Sequence, residues 1–143
     1  MSSALSAAII CLVVGITDGD TITAKCDNQQ VKIRLAEIDA PEKRQAFYQA
    51  SKQSLSDLCY DKEAIITGRT TDRYRRLIAH VSCDGKDASL EQVRLGMAWV
   101  YDQYVTDHNL YNTQESAKLS NSGLWQDSNP TPPWEWRKVK RKK

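Results

Sequence analysis

The chain has 143 residues, a length that suits one domain able to bury its own core. Hydrophobic residues make up 41% and charged residues 27%, the balance of a soluble globular protein rather than a disordered one. A formal net charge of +2 is too mild to announce a polyanionic partner by bulk charge, so any such partner must be argued from where the charges sit.

The first fourteen residues, MSSALSAAIICLVV, are apolar and rich in small side chains. No Lys or Arg precedes them, so they are not a complete signal peptide; Ala4 to Ala8 could be the end of one, with residues 1–8 as a remnant. The run 9–14 is too short to span a membrane. Residues 9–17 are β-branched and apolar, which predicts a strand, and Asp18-Gly19 predicts a turn. A second strand is predicted over 20–26 and a turn at Asp27-Asn28. In 31–35, Val31, Ile33 and Leu35 alternate with Lys32 and Arg34, a third strand with one apolar face. Pro41 interrupts regular structure in the loop 37–43.

A helix is expected over about 44–59, with Phe47, Ala50, Ser54, Leu55 and Leu58 on one stripe. Residues 63–69 and 76–83 read as strands four and five, and Asp84-Gly85 turns the chain after them. Leu90, Val93, Met97 and Val100 stand at helical spacings, and a third helix is expected over 109–121 with Gly123 past its end. The domain then covers 9–128, and a Pro/Trp-rich, basic tail covers 129–143. The fold expected is α+β with a mainly β core: a five-stranded OB-type Greek-key barrel with three helices. An SH3-like barrel fits less well, because the long helix falls between strands three and four.

Four cysteines stand far apart at Cys11, Cys26, Cys59 and Cys83, without metal-ligand spacing. Two disulfides in an oxidising compartment suit that pattern; four buried free thiols are the bland alternative. Three pairings are possible. The expected pairing of the first strand with the start of the fourth points to Cys11–Cys59 and Cys26–Cys83.

Two clusters carry chemistry. Asp18-Gly19-Asp20-Thr21 is by itself no more than a common turn. Arg34-Leu35-Ala36-Glu37-Ile38-Asp39-Ala40-Pro41-Glu42 sets an Arg on the outer face of a strand, then two acids flanking a rigid proline. A hard cation such as calcium takes carboxylate and carbonyl oxygens. Asp20 and Asp39 could supply carboxylates, and Ala40 a carbonyl, if the strands converge. Glu42 lies close enough to accept a proton from an attacking water. Guanidinium groups stabilise charge gathering on phosphoryl oxygens, and Arg34 and Arg76 are candidates. Read blandly, Arg34, Asp39 and Glu42 are a structural ion-pair network.

The segments DGDT, RLAEIDAPE and TDRYRR, in this order and spacing, closely resemble the thermonuclease (staphylococcal nuclease-like) family. The likeness runs from about Val13 to Trp125 and includes Arg94-x-Gly96-x-Ala98 and Gly123-Leu124-Trp125. Pro133-Trp134-x-Trp136-Arg137 is similar to the plasmid-borne and Gram-negative branch. The resemblance implies a calcium-dependent nuclease acting on DNA and RNA and leaving 3′-phosphate ends. It assigns Asp20, Asp39 and the Ala40 carbonyl to the metal, Glu42 to general base, and Arg34 and Arg76 to the scissile phosphate. The sequence departs from the family at Arg75, where Gly is frequent, and in a shorter stretch after Glu42.

Tyr74 and Tyr104 are candidates for stacking on bases and Arg73 for a phosphate contact; Tyr101 has no stronger claim than a packed or surface tyrosine. His80, His108 and the four tryptophans read as structural. The basic end, Lys138 to Lys143, either attracts polyanions or is a solvated tail. The expected protein is a secreted or periplasmic monomer without a membrane span. A non-catalytic nucleic-acid-binding OB module is the alternative, and a phosphodiesterase for a smaller substrate a further one.

Overall fold

A computed structural model describes residues 7–142. The signal-peptide reading rests mainly on residues 1–6, which lie outside the described residues. Strands β1 (Ile9–Asp18), β2 (Thr21–Cys26) and β3 (Gln29–Leu35) form a meander, joined at its far end by Asp27 and Asn28. These two residues have φ of 49° and 67°, the paired left-handed conformations of a two-residue hairpin turn. Strand β1 carries two irregularities, between Val13 and Gly15 and between Ile16 and Asp18. Such bulges bend a long strand, and here β1 runs on to pair with β5 (Glu63–Thr71).

Strand β5 pairs with β6 (Leu77–Cys83), and β6 returns to β3 in parallel, with Ile33 opposite Leu77 and Arg34 opposite Ile78. That parallel contact closes a five-stranded mixed barrel of the OB type, as the sequence predicts. A short strand β7 (Lys86–Asp87) adds to the edge of β6. The barrel is filled by Val13, Ile22, Ala24, Ile33, Leu35, Ile66, Ala79 and Val81, the inward half of each alternation.

Helix α1 (Tyr48–Cys59) closes one end of the barrel with Leu55 and Cys59. It begins later than the sequence suggests, because Arg44 and Phe47 sit at φ of 76° and 68°, which no helix accommodates. Its buried residues are Ser51, Leu55 and Cys59; of the expected stripe, Leu55 is buried and Leu58 packs against the core, whereas Ala50 is exposed.

The expected helix through Leu90, Val93, Met97 and Val100 stops early: α2 spans Ala88–Arg94. Gly96, at φ 72°, lets its N–H donate to Val93 and that of Met97 to Gln92, a Schellman stop that side-chain spacing alone cannot reveal. Val100 instead lies in β8 (Trp99–Val100), which pairs with β4 (Ile38–Asp39). Helix α3 (Asn109–Leu119) ends on a similar stop at Asn121, and a 3₁₀ turn comes next (Gly123–Gln126). A further helix, α4 (Pro133–Lys142), occupies the segment that the sequence presents as a tail. Pro133 stands at its first position, where the missing N–H costs nothing. No helix among the described residues is long and apolar enough to cross a membrane.

All four cysteines are paired, but not as the sequence suggests. The disulfides are Cys11–Cys26 and Cys59–Cys83, with Cα separations of 4.7 and 5.4 Å. Strand β1 does pair with the start of the fourth barrel strand, yet in that register Cys11 faces Ala64. Cys59 ends α1, before that strand begins, and meets Cys83 on β6 instead. Cys11 is left facing Cys26 across the β1–β2 hairpin.

Candidate functional site

The site lies where three backbone features meet. Thr21, at the start of β2, pairs with Arg34 near the end of β3, which sets Asp20 beside Arg34. The short β4–β8 pairing fixes Asp39 opposite Trp99. The turn carrying Gly19 and Asp20 is pressed under α1; a Cβ at Gly19 would stand 1.8 Å from Ser51 Oγ. Gln92 of α2 donates to the Gly19 carbonyl at 2.8 Å and so ties the turn from the other side.

Asp20 and Asp39 are 6% and 1% exposed and converge on one guanidinium. Arg34 Nη1 lies 3.5 Å from Asp20 Oδ2, and Nη2 lies 3.3 Å from Asp39 Oδ1. The same guanidinium donates to the carbonyls of Leu35 (3.0 Å) and Ile38 (2.7 Å), so its orientation is set by the backbone. Asp20 accepts from the Ala40 N–H at 2.8 Å and from Thr21 Oγ1 at 2.9 Å. Glu42, less buried, joins the cluster through Arg137 of α4. Arg137 Nη1 reaches Glu42 Oε2 at 3.0 Å and Asp39 Oδ1 at 3.1 Å, while Nη2 reaches Asp39 Oδ2 at 2.7 Å.

Burial and the charge of Asp20 push the Asp18 carboxyl up to about 8. Burial also opposes ionisation of Asp20, but the Arg34 charge and several hydrogen bonds outweigh it and hold Asp20 below the usual carboxylate range. Burial and mutual repulsion thus bias Asp18 toward its neutral form, while Arg34 biases Asp20 toward its charged form. For Asp39 and Arg137 the tendencies conflict. Burial raises Asp39, helped by Asp20 and opposed by Arg137 and Arg34. Partial burial lowers Arg137, yet Asp39 and Glu42 together raise it. The two-pronged contact at 2.7 and 3.1 Å is that of an ionised pair, and both partners are charged.

The remaining sequence candidates fall in two places. Arg76 immediately precedes β6, two residues before Ile78, the partner of Arg34. Its side chain pairs with Asp72 at 2.9 Å; among the described residues no ion pair joins it to Asp20, Asp39 or Glu42. Tyr74 is 64% exposed, with the guanidiniums of Arg73 and Arg76 at 5.1 and 5.7 Å from its ring centre. Tyr104, 58% exposed, packs edge-on against Tyr101. Tyr101 in turn stacks on Trp134, and its hydroxyl accepts from Arg137 Nη2 at 3.3 Å.

Three contributors have no role that the sequence reveals. Arg137 belongs to the Pro-Trp-x-Trp-Arg ending, and a single Arg directly after two tryptophans is the signal that could point to it. Tyr101 reads as an ordinary tyrosine, although its ring underlies Arg137 at 5.9 Å. Glu37 holds the 106–107 loop: its Oε1 accepts from the N–H groups of Thr106 and Asp107, both at 2.6 Å. No local pattern reports that contact.

The donor set suits a hard cation. Two buried carboxylates converge on Arg34, burial and then the Asp20 charge raise Asp39, and both acids offer oxygen. Among the described residues, no group of three or more His, Cys, Asp or Glu side chains is gathered for a metal. A cation here would therefore need backbone carbonyl or water oxygens beside Asp20 and Asp39.

The sequence pattern of the family described as staphylococcal nuclease homologue matches residues 32–127. A protein of Haemophilus influenzae, named as an uncharacterized endonuclease, is 47% identical over 92% of this chain and 74% of its own length. A micrococcal nuclease of Shigella flexneri is 37% identical over 90% of this chain and 80% of its own. A staphylococcal-like nuclease of Arabidopsis thaliana is 34% identical over 79% of this chain but 35% of its own. With the match covering much of the barrel, the Arg34–Glu42 loop and the helices behind it, the chain belongs to the staphylococcal nuclease homologue family.

Proposed function

We propose that this protein is a calcium-dependent nuclease that hydrolyses phosphodiester bonds of DNA and RNA and leaves 3′-phosphate ends. The observation that carries the reading is the convergence of Asp20 and Asp39 on Arg34, with Glu42 linked to Asp39 through one further guanidinium. Family membership and the names of the relatives support it.

Asp20, Asp39 and the Ala40 carbonyl would hold the calcium ion, which when bound supplies positive charge to the phosphate oxygens as a Lewis acid. Glu42, the most solvent-open of the site's carboxylates, accepts the proton of the attacking water. Arg34 neutralises charge that develops on the phosphoryl oxygens, and its backbone-fixed orientation means little reorganisation is needed. Arg76 approaches from the 72–76 turn and takes the second phosphoryl oxygen. The 5′ oxygen departs and the phosphate stays on the 3′ side. Tyr74, flanked by Arg73, offers an exposed ring to a neighbouring base, and Tyr104 offers another beyond Tyr101. The two disulfides support a secreted or periplasmic setting. The working unit in this reading is a monomer.

Cleavage of denatured DNA and of RNA in calcium and in EDTA tests the reading, with Asp20→Ala and Glu42→Gln alongside. Calcium-dependent cleavage is expected, with both variants down by about 10²-fold or more. DNA binding without metal-dependent cleavage would mark a non-catalytic binding module instead. Full activity in Glu42→Gln would remove Glu42 as the base.

A further inference from the structure

Helix α4 places an arginine where a cation is called for. Both oxygens of Asp39 are met by Arg137, at 2.7 and 3.1 Å, and the same guanidinium also reaches Glu42 at 3.0 Å and the Tyr101 hydroxyl at 3.3 Å. Asp39 is 1% exposed, so no bulk water is at hand to replace a lost partner. Nothing in the barrel requires this contact: Asp39 is already fixed through β4 and β8 and already paired with Arg34.

The arginine is delivered by a built dock. Pro133 is buried, and the Trp134 ring stacks on Tyr101 at 5.4 Å with 3° between planes. Trp134 also meets Trp99 edge-on at 5.6 Å. Gln45, itself buried, donates to the Thr131 carbonyl at 2.7 Å and holds the approach to the helix. Trp99 is the register partner of Asp39, so the dock and the carboxylate share one strand pair.

We infer that Arg137 is an internal cation that competes with the divalent metal for Asp39, so that docking of α4 sets the metal affinity of the site. This rests on the metal-dependent reading above. Asp39 Oδ1 already meets both Arg34 and Arg137, and Oδ2 meets Arg137, so a hard cation, which binds carboxylate oxygen at about 2.3–2.6 Å, must displace Arg137 to coordinate there. Like charge adds to the exclusion. The two cations therefore alternate, and the apparent dissociation constant for metal rises by the inverse of the undocked fraction. A helix docked in about 90–99% of molecules weakens metal binding about 10- to 100-fold.

Calorimetric titration of the full chain with calcium chloride tests this, using wild type, Arg137→Gln and Trp134→Ala. Arg137→Gln removes the competitor; Trp134→Ala loosens the dock and leaves every charge in the chain, so it carries the test should the first variant fail to fold. Both are expected to bind calcium at least about tenfold tighter than wild type. Unchanged or weaker binding in both, with wild type binding calcium, overturns the inference and leaves the nuclease reading standing. Tightening in Arg137→Gln but not in Trp134→Ala overturns the role given to docking. No calcium binding by any of the three overturns the metal-dependent reading and this inference together.

Discussion

At the scale of single residues, Asp72 decides where Arg76 points. Its Oδ1 accepts from the N–H groups of Tyr74 and Arg76, each at 2.9 Å, and its Oδ2 accepts from Arg76 Nε at 2.9 Å. One carboxylate thus shapes the turn and aims the arginine. The turn needs Arg75 at φ 65°, which accounts for the frequent Gly of the resembling family at that position. Asp72→Ala should cost about 1–2 kcal/mol, from backbone hydrogen bonds left without their acceptor. If Arg76 contacts the phosphate as proposed, kcat should also fall by about tenfold or more, because a misaimed arginine loses that contact. Burial pushes Asp72 upward, but the hydrogen bonds from Arg76 and Tyr74 outweigh it and hold it below its ordinary value of 3.8. A depressed carboxylate stabilises the fold above its unfolded value and loses that contribution as pH falls through the folded one. The gap between wild type and variant in urea unfolding should therefore be full at pH 7 and shrink below about pH 4. A gap that widens in acid would contradict this account.

At the scale of elements, strands are legible because period-two alternation reports one buried face, as in Val31, Ile33 and Leu35. The turn at Asp84-Gly85 is legible for the same local reason, with φ of 52° and 75° suited to those residue types. Local pattern fails where a backbone stop interrupts side-chain spacing, as at Gly96, and where prolines disguise the start of α4. Asp20, Arg34, Asp39 and Glu42 can be named from sequence because they sit in two short clusters. Arg137 cannot, since its contact with Asp39 spans 98 residues. Gly19 stands between these cases: it reads as a turn glycine, but its φ is not the constraint. Helix α1 is packed so closely on it that an added Cβ would fall 1.8 Å from Ser51 Oγ and 3.0 Å from Ala40 Cβ. Ser51 cannot simply turn away, because its hydroxyl donates to the Met97 carbonyl at 2.7 Å. Gly19→Ala should therefore destabilise the protein by about 1–3 kcal/mol through overpacking. In the metal-dependent reading proposed above it should also weaken calcium binding, since the turn carries Asp20. Thermal melts with and without calcium check both effects, and wild-type behaviour in the two would show that α1 does not constrain the turn.

At the scale of the whole molecule, the disulfides divide the work of holding the barrel. Cys11–Cys26 joins strands that a two-residue hairpin already keeps together, and it reinforces an existing sheet contact. Cys59–Cys83 joins the end of α1 to β6 across 24 residues, linking elements that no backbone ladder connects. Loop-closure entropy assigns each link about 3 kcal/mol, with the longer loop ahead by only about 0.4 kcal/mol. The larger difference should come from what each link restrains. Losing Cys11–Cys26 leaves β1 and β2 paired, whereas losing Cys59–Cys83 frees the C-terminal end of the helix whose Ser51 backs the Gly19 turn and whose Leu55 closes the barrel. The double variant Cys59→Ser/Cys83→Ser should lose about 3 kcal/mol in urea unfolding and lose activity at temperatures where wild type keeps it. Cys11→Ser/Cys26→Ser should lose a similar amount of stability but hold its activity up to its own, lower, melting temperature. If both pairs lose activity only when they unfold, α1 is held by its apolar face alone, and the link to β6 has no hand in positioning Asp20.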